Sequence, residues 1–433
     1  MRNDPDSGSV IEAILREGAR LADEVEVFFG EGSSVSADLK QTIVGEAHLS
    51  RSWGLGIRTV SGGRIGISST NDPEKWRECL GAAIAGGRLA TPQEWHGLPA
   101  PAHLEGGVPV FDPAVRVEIE PARDMLRGLL AGAATYPADV VGGSAALSRA
   151  SLTLANSAGV WYSMEKTGVG ISLEAISGTS TGYEFDRSCF LDVDPVDVGK
   201  QAAFYAAKSV GGTDIATGTH DVILSPVALS QLLGHVLVPA LSGKNVHAGR
   251  SFLAGRLGEQ VIGETLSVSD DPHARGLGST LWDAEGVPTR RLEFIKDGVL
   301  SGFAYDLKTA YRYGKETTGS AVRGGAGGSP AIGVRNVLLE GPRCEIAEER
   351  AIFAHDLVGA HTANPITGDF SVELSNAFWM EGGAFDTPIR SAMLAGNVFE
   401  MLGRVDGLGR ENRIVGTMIL PPVRFKSMQI IGK

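Results

Sequence analysis

The residues best placed to do chemistry lie in the stretch DVILSPVALSQLLGHVLVPALSG, residues 221–243. Residues 221–224 read as a short buried strand. Ser225 has the side chain of a helix N-cap, and Pro226 suits the first helical position, where a missing N–H costs nothing. The helix that follows carries Ser230, Gln231 and His235. Zinc-assisted hydrolysis on such a helix needs neutral imidazoles to hold the metal and a carboxylate to take a proton from water. It therefore asks for His at 230, Glu at 231 and His at 235. Only His235 is of that type. A serine hydroxyl is a poor zinc ligand, and an amide cannot accept a proton at neutral pH. Ser230, Gln231 and His235 form a degenerate motif, so no metal ligand and no catalytic residue is expected here. A lone imidazole on an apolar helix is expected in the core or at an interface, bonded to backbone.

Asp270, Asp271, Asp283 and Glu285 gather four carboxylates within one supersecondary unit. Such a group can bind a cation or share a proton. The same residues also read as turns, Asp271-Pro272 and Glu285-Gly286, whose carboxylates cap backbone amides. The glycine-rich stretch GSAVRGGAGGSPAIG, residues 319–333, lacks the helix and lysine of a phosphate cradle. It reads as a flexible loop or a lid that orders on binding. Arg323, its only charge, is a candidate for holding a peptide carboxylate. Arg323, Asp283 and Glu285 are thus the candidate substrate-binding residues. There is no Gly-x-Ser-x-Gly elbow, and Cys189 has no histidine beside it in sequence, so a buried, inert thiol is expected.

Several short motifs occur in a recognisable order. They are Gly54-Leu55-Gly56-Ile57-Arg58, Arg64-Ile65-Gly66, Asn156-Ser157-Ala158-Gly159, Ser251-Phe252-Leu253 and Gly258-Glu259. Asp270-Asp271-Pro272, Asp283-Ala284-Glu285-Gly286, Thr318-Gly319, the run NPITGDF at 364–370 and Ala395-Gly396-Asn397 follow. In that order, and with the degenerate helix, the chain resembles the TldD/PmbA peptidase family, in its PmbA (TldE-like) branch lacking the metal motif. In the TldD branch the corresponding helix reads His-Glu-x-x-x-His. On a regular helix that spacing turns the second ring roughly 140° from the first, so the resemblance implies a locally distorted helix. The TldD branch also carries a cysteine near its C-terminus that resembles a third ligand; here no cysteine follows Cys344. The resemblance further implies that the 270–285 segment lies beside the groove where the TldD branch holds its metal.

The elements that position these residues alternate along the chain. A helix is expected over 9–22, a strand over 24–29, a hairpin over 53–70 and a helix from Asp72-Pro73 to Leu89. A Pro/Gly/His-rich linker, 91–108, ends this first unit. The second unit has a helix from Asp112-Pro113 to Ala131, strands at 145–154, 160–165 and 169–177, and a helix opened by Asp194-Pro195. Many short strands and glycine turns follow. The fold class is α+β: an N-terminal helix/hairpin unit (1–106), a middle α+β unit (107–218) and a C-terminal unit rich in antiparallel or mixed β-sheet (219–433). The 433 residues suffice for two or three domains, each with its own core.

A formal charge of −12 with no basic cluster argues against a nucleic-acid surface. Three widely spaced cysteines suggest a reducing compartment. No apolar leader or span is evident, so the expected location is cytoplasmic, with no membrane contact. The resemblance implies a subunit without its own cofactor, paired with a TldD-like, zinc-bearing subunit in a peptide-degrading or peptide-maturing complex. An older family name points to DNA gyrase control, which the acidic charge does not support. A self-sufficient peptidase using His235 and the acidic group, or a homodimeric peptide-binding module, are the alternatives.

Overall fold

A single antiparallel sheet carries the first half of the chain in this computed structural model, which describes residues 7–432. Its strands are β1 (Glu24–Lys40), β2 (Ile43–Ser61), β3 (Arg64–Thr70), β4 (Asp139–Asn156), β5 (Trp161–Ser177) and β6 (Ser180–Ser188), in the order β3-β2-β1-β4-β5-β6. The strand expected over 24–29 runs on to Lys40, and the two expected over 160–177 are one. Local sequence hides this: Gly30, Gly32, Gly168 and Gly170 weaken strand propensity, but each sits in a strand paired on both edges. The units expected over 1–106 and 107–218 meet in this sheet. β1 pairs with β4 from Glu26 opposite Asn156 to Lys40 opposite Gly142.

One face of the sheet is covered by four helices. Val25, Val27 and Phe29 pack against α1 (Ser7–Gly18) and α2 (Trp76–Leu89), whereas Val35, Ala37 and Leu39 pack against α3 (Ile119–Ala133) and α4 (Pro195–Lys208). This is the period-2 alternation of a strand whose odd positions face a core. Asp194 caps α4 as expected, accepting from the Val196 and Asp197 N–H groups. Asp112 does not open α3. Its carboxylate accepts from the Ala114 and Leu191 N–H groups and closes a turn, and the helix begins only at Ile119. The linker is stitched down: Glu24 accepts from Trp95 and from the Leu98 N–H, and Asn156 donates to the Pro99 carbonyl.

The last half of the chain builds two further large sheets around the largest core, besides a two-stranded ribbon of Ala321–Val322 and Ala331–Ile332. β7 (Gly218–Leu224) pairs in parallel with Ala351–Val358 and antiparallel with Val423–Ile431. Met393–Asn397 and Asp369–Glu381 continue the ring, and Asp369–Glu381 returns to pair with Ala351–Val358, closing a five-stranded barrel. The second sheet is also mixed, since Val337–Glu340 runs parallel to Met418–Leu420. Helix α5 (Pro226–Leu232) lies between them, burying Ala228, Leu229 and Leu232. The fold is α+β with mixed sheets. Among the described residues no helix is long and apolar enough to cross a membrane.

Candidate functional site

Ser225 anchors α5. Its hydroxyl accepts from the Val227 and Ala228 N–H groups, both at 3.1 Å, and donates to the His355 carbonyl at 2.5 Å. The helix then widens into a π-turn over Leu233–Leu237, with the Val238 N–H bonded five residues back to Leu233. Pro239 gives the cause: its ring would collide with the carbonyl four residues earlier and it offers no N–H, so the ladder shifts by one residue. The distortion implied by the His-Glu-x-x-x-His spacing is therefore present in a helix that lacks the motif.

The two slots that chemistry would fill are occupied by structural side chains. The Ser230 hydroxyl donates to the Val227 carbonyl at 2.7 Å. The Gln231 amide donates to Asp356 Oδ1 at 2.6 Å and accepts from the Leu357 N–H at 3.2 Å, tying the helix to the neighbouring barrel strand. His235 is exposed, so of the two expected positions, core or interface, it does not take the core; its Nδ1 bonds backbone as expected, lying 2.8 Å from the Gln231 carbonyl. It lines an open groove of about 370 Å³ with Gly234, Asn245, Arg250, His361 and Ile366. Two imidazoles without a carboxylate or thiolate, and with an arginine beside them, do not fit a catalytic zinc.

The other candidates converge at a seam between the first sheet and the last half of the chain. Arg58 on β2 stands directly opposite Glu26 on β1. Its guanidinium binds Glu26 Oε2 and Glu285 Oε1, each at 2.6 Å, with all three side chains buried. Glu285 Oε2 also accepts from the Leu307 N–H at 2.8 Å. Burial opposes the Arg58 charge, but the two carboxylates outweigh it and hold the group protonated. Burial pushes the Glu285 carboxyl up, against the pull of Arg58. Asp283 is likewise pushed up by burial, although its oxygens accept from the Glu285, Val287 and Ala321 N–H groups.

Arg323 is not a solvated loop residue. Its guanidinium is buried, bonded to Glu26 Oε1 and, through Nε, to the Ala284 carbonyl at 2.9 Å. The glycine-rich loop is held in place because β2 has no side chains beneath it. A Cβ on Gly56 would lie 1.9 Å from the Ala326 carbonyl oxygen, and one on Gly54 would lie 2.7 Å from Ala326 Cβ. The Gly-x-Gly-x-Arg motif thus has one physical role: two glycines let the loop lie on the strand, and the arginine ties the seam together.

The acidic group divides. Asp283 and Glu285 sit at the seam, whereas Asp270 accepts from the Arg335 and Asn336 N–H groups and Asp271 from that of His273. Among the described residues none lines both the His235 groove and the seam cavity. That cavity, about 200 Å³, is lined by Lys166, Arg335, Arg323, Asp283, Phe28 and Trp282 among others. Lys166 and Arg335 carry no motif, and only the topology brings them together. Cys189 is buried, and burial raises its thiol pKa, as an inert cysteine requires.

The sequence matches the PmbA/TldA metallopeptidase domain 1 over residues 25–86, the central domain over 112–210 and the C-terminal domain over 217–432. The chain belongs to the PmbA/TldD family. An uncharacterized protein of Methanocaldococcus jannaschii is 30% identical, the match covering 96% of this chain and 98% of that protein. The metalloprotease PmbA of Escherichia coli O157:H7 is 26% identical, with 96% and 95% covered. The crystal structure of TldE from Thermococcus kodakarensis superposes with a TM-score of 0.91 at 27% identity, covering 98% of this chain and all of that one.

Proposed function

We propose that this chain is the non-metal-binding subunit of a cytosolic PmbA/TldD-type peptidase, acting in peptide degradation or maturation. A zinc-bearing relative supplies the metal and the base, and this chain completes the cavity that holds the peptide. The observation that carries the reading is the Gln231 amide, bonded at both ends to Asp356 and Leu357 where a proton-accepting carboxylate would be required. In this reading the metalloprotease name of the relatives describes the pair. Arg323, Asp283 and Glu285 serve the peptide path by fixing its wall. A self-sufficient enzyme would need His235 and the acidic group to work together, and the two lie at different cavities.

The test is co-purification. Alone, the chain is expected to hold no stoichiometric zinc and to cleave no peptide; added to a His-Glu-x-x-x-His relative, it is expected to raise turnover on unstructured peptides. One zinc per chain with cleavage by this chain alone would overturn the reading. A homodimer that binds peptides without any effect on the zinc-bearing chain would favour the module alternative.

A further inference from the structure

The seam cavity is lined by three cations, Lys166, Arg323 and Arg335, and one carboxylate, Asp283. Lys166 donates to the Leu277 carbonyl and Arg335 to the Ala321 carbonyl, both neutral acceptors. Arg335 Nε is buried with no acceptor, and neither side chain forms an ion pair among the described residues. Arg323 is matched by Glu26, and Arg335 is attracted by the buried Asp283 and Asp270, whose oxygens bond backbone N–H groups and do not pair with its guanidinium. Burial lowers the Lys166 pKa, and the charge of Arg335 adds to the effect. Two desolvated cations beside an open cavity are relieved by an anion, because charge-assisted bonds in a low-dielectric site are roughly twice as strong as neutral ones.

The rest of the lining selects among anions. Phe28 and Trp282 present apolar surface to the same space. A fully hydrated inorganic ion gains nothing from that surface, whereas an apolar group carrying one carboxylate gains from both. The volume, about 200 Å³, falls below the roughly 300–1,000 Å³ of pockets that enclose drug-sized ligands. It accommodates one residue, not a long segment.

We infer that this cavity binds the C-terminal residue of a peptide, with Lys166 and Arg335 holding the carboxylate and Phe28 and Trp282 packing against its side chain. The inference rests on the peptide-handling role proposed above and names the end of the peptide that this chain recognises.

Calorimetric titration of the full-length chain tests it, using acetyl-Ala-Ala-Phe as the free acid and as the C-terminal amide. The acid is expected to bind about tenfold more tightly than the amide, the value of one charge-assisted bond. Lys166→Met keeps the aliphatic stem and removes the charge; it is expected to weaken the acid about tenfold and leave the amide unchanged. Lys166→Arg is expected to restore acid preference, and thermal melting verifies that each variant is folded. Equal affinity for acid and amide, no binding of either, or an unaltered preference in folded Lys166→Met would overturn the inference. Partner-dependent cleavage with no acid preference would sink this inference and leave the peptidase reading intact. Acid-selective binding by a chain that never stimulates a zinc-bearing relative would do the reverse.

Discussion

Gln231 is held by two side-chain bonds of opposite sense. Its amide needs a donor end for Asp356 and an acceptor end for the Leu357 N–H, and a carboxylate offers only the second. Gln231→Glu is therefore expected to destabilise the chain by about 1–3 kcal/mol at pH 7 without creating hydrolysis. Denaturant titration would measure this, and Asp356→Asn in the same chain should recover most of the loss. At the seam, Arg58→Met leaves Glu26 and Glu285 buried without their shared counter-charge, though Glu26 keeps Arg323. A cost of roughly 3–5 kcal/mol is expected, the usual result of breaking a buried pair from one side. The degenerate motif was legible because its residues are neighbours in sequence and each chemistry demands a residue type. The seam was not. Glu26, Arg58, Glu285 and Arg323 are far apart along the chain, and a loop arginine amid glycines looks solvated until the strand beneath it is known.

At the scale of elements, close approach and burial decide what sequence alone left open. Gly56→Ala places a methyl where the Ala326 carbonyl lies, so the loop must lift from β2. The expected outcome is faster proteolysis within 323–330, and a loss of roughly 1–3 kcal/mol; an unchanged cleavage pattern would contradict the packing described here. A second contact joins α4 and β6 to the barrel. His355 is buried, stacked on Tyr205 at 4.0 Å, with Glu184 3.4 Å from its Nε2 and Arg413 also bound to Glu184. Burial lowers the His355 pKa; Glu184 and Asp356 oppose this and Arg413 adds to it. The sign follows: the unfolded chain, with a histidine pKa near ~6.5, takes up the proton before the folded one. Stability contributed by neutral His355 is thus fully present above about pH 6.5 and declines as pH falls below it. Urea midpoints between pH 8 and 5 should show this decline, and His355→Gln should flatten it. Capped helix starts such as Asp194-Pro195 were legible because one side chain and one ring suffice. Asp112-Pro113 misled, since the same cap geometry also closes a turn, and strand lengths were hidden because partners on both edges override glycine.

For the whole molecule, the sheet shared by the first two units matters most. A fragment of residues 1–106 would strip β1 of its pairing with β4 and expose the long edge of a strand that is paired on both sides in the full chain. It is expected to show no cooperative thermal transition by circular dichroism, and a sharp one would show that the first unit stands alone. Three texturally distinct stretches were visible in the sequence; the fusion of the first two in one sheet was not, because strand pairing between distant segments leaves no local mark. The same fusion has a mechanical consequence. Unbroken backbone pairing allows the first two units no swing relative to each other, and the barrel half is held to them across the seam by side chains such as Arg58, Glu285 and Arg323. Any gaping of the molecule to admit a bulky guest must break those buried charges or the Tyr205–His355–Glu184 contact, and together they are its latch.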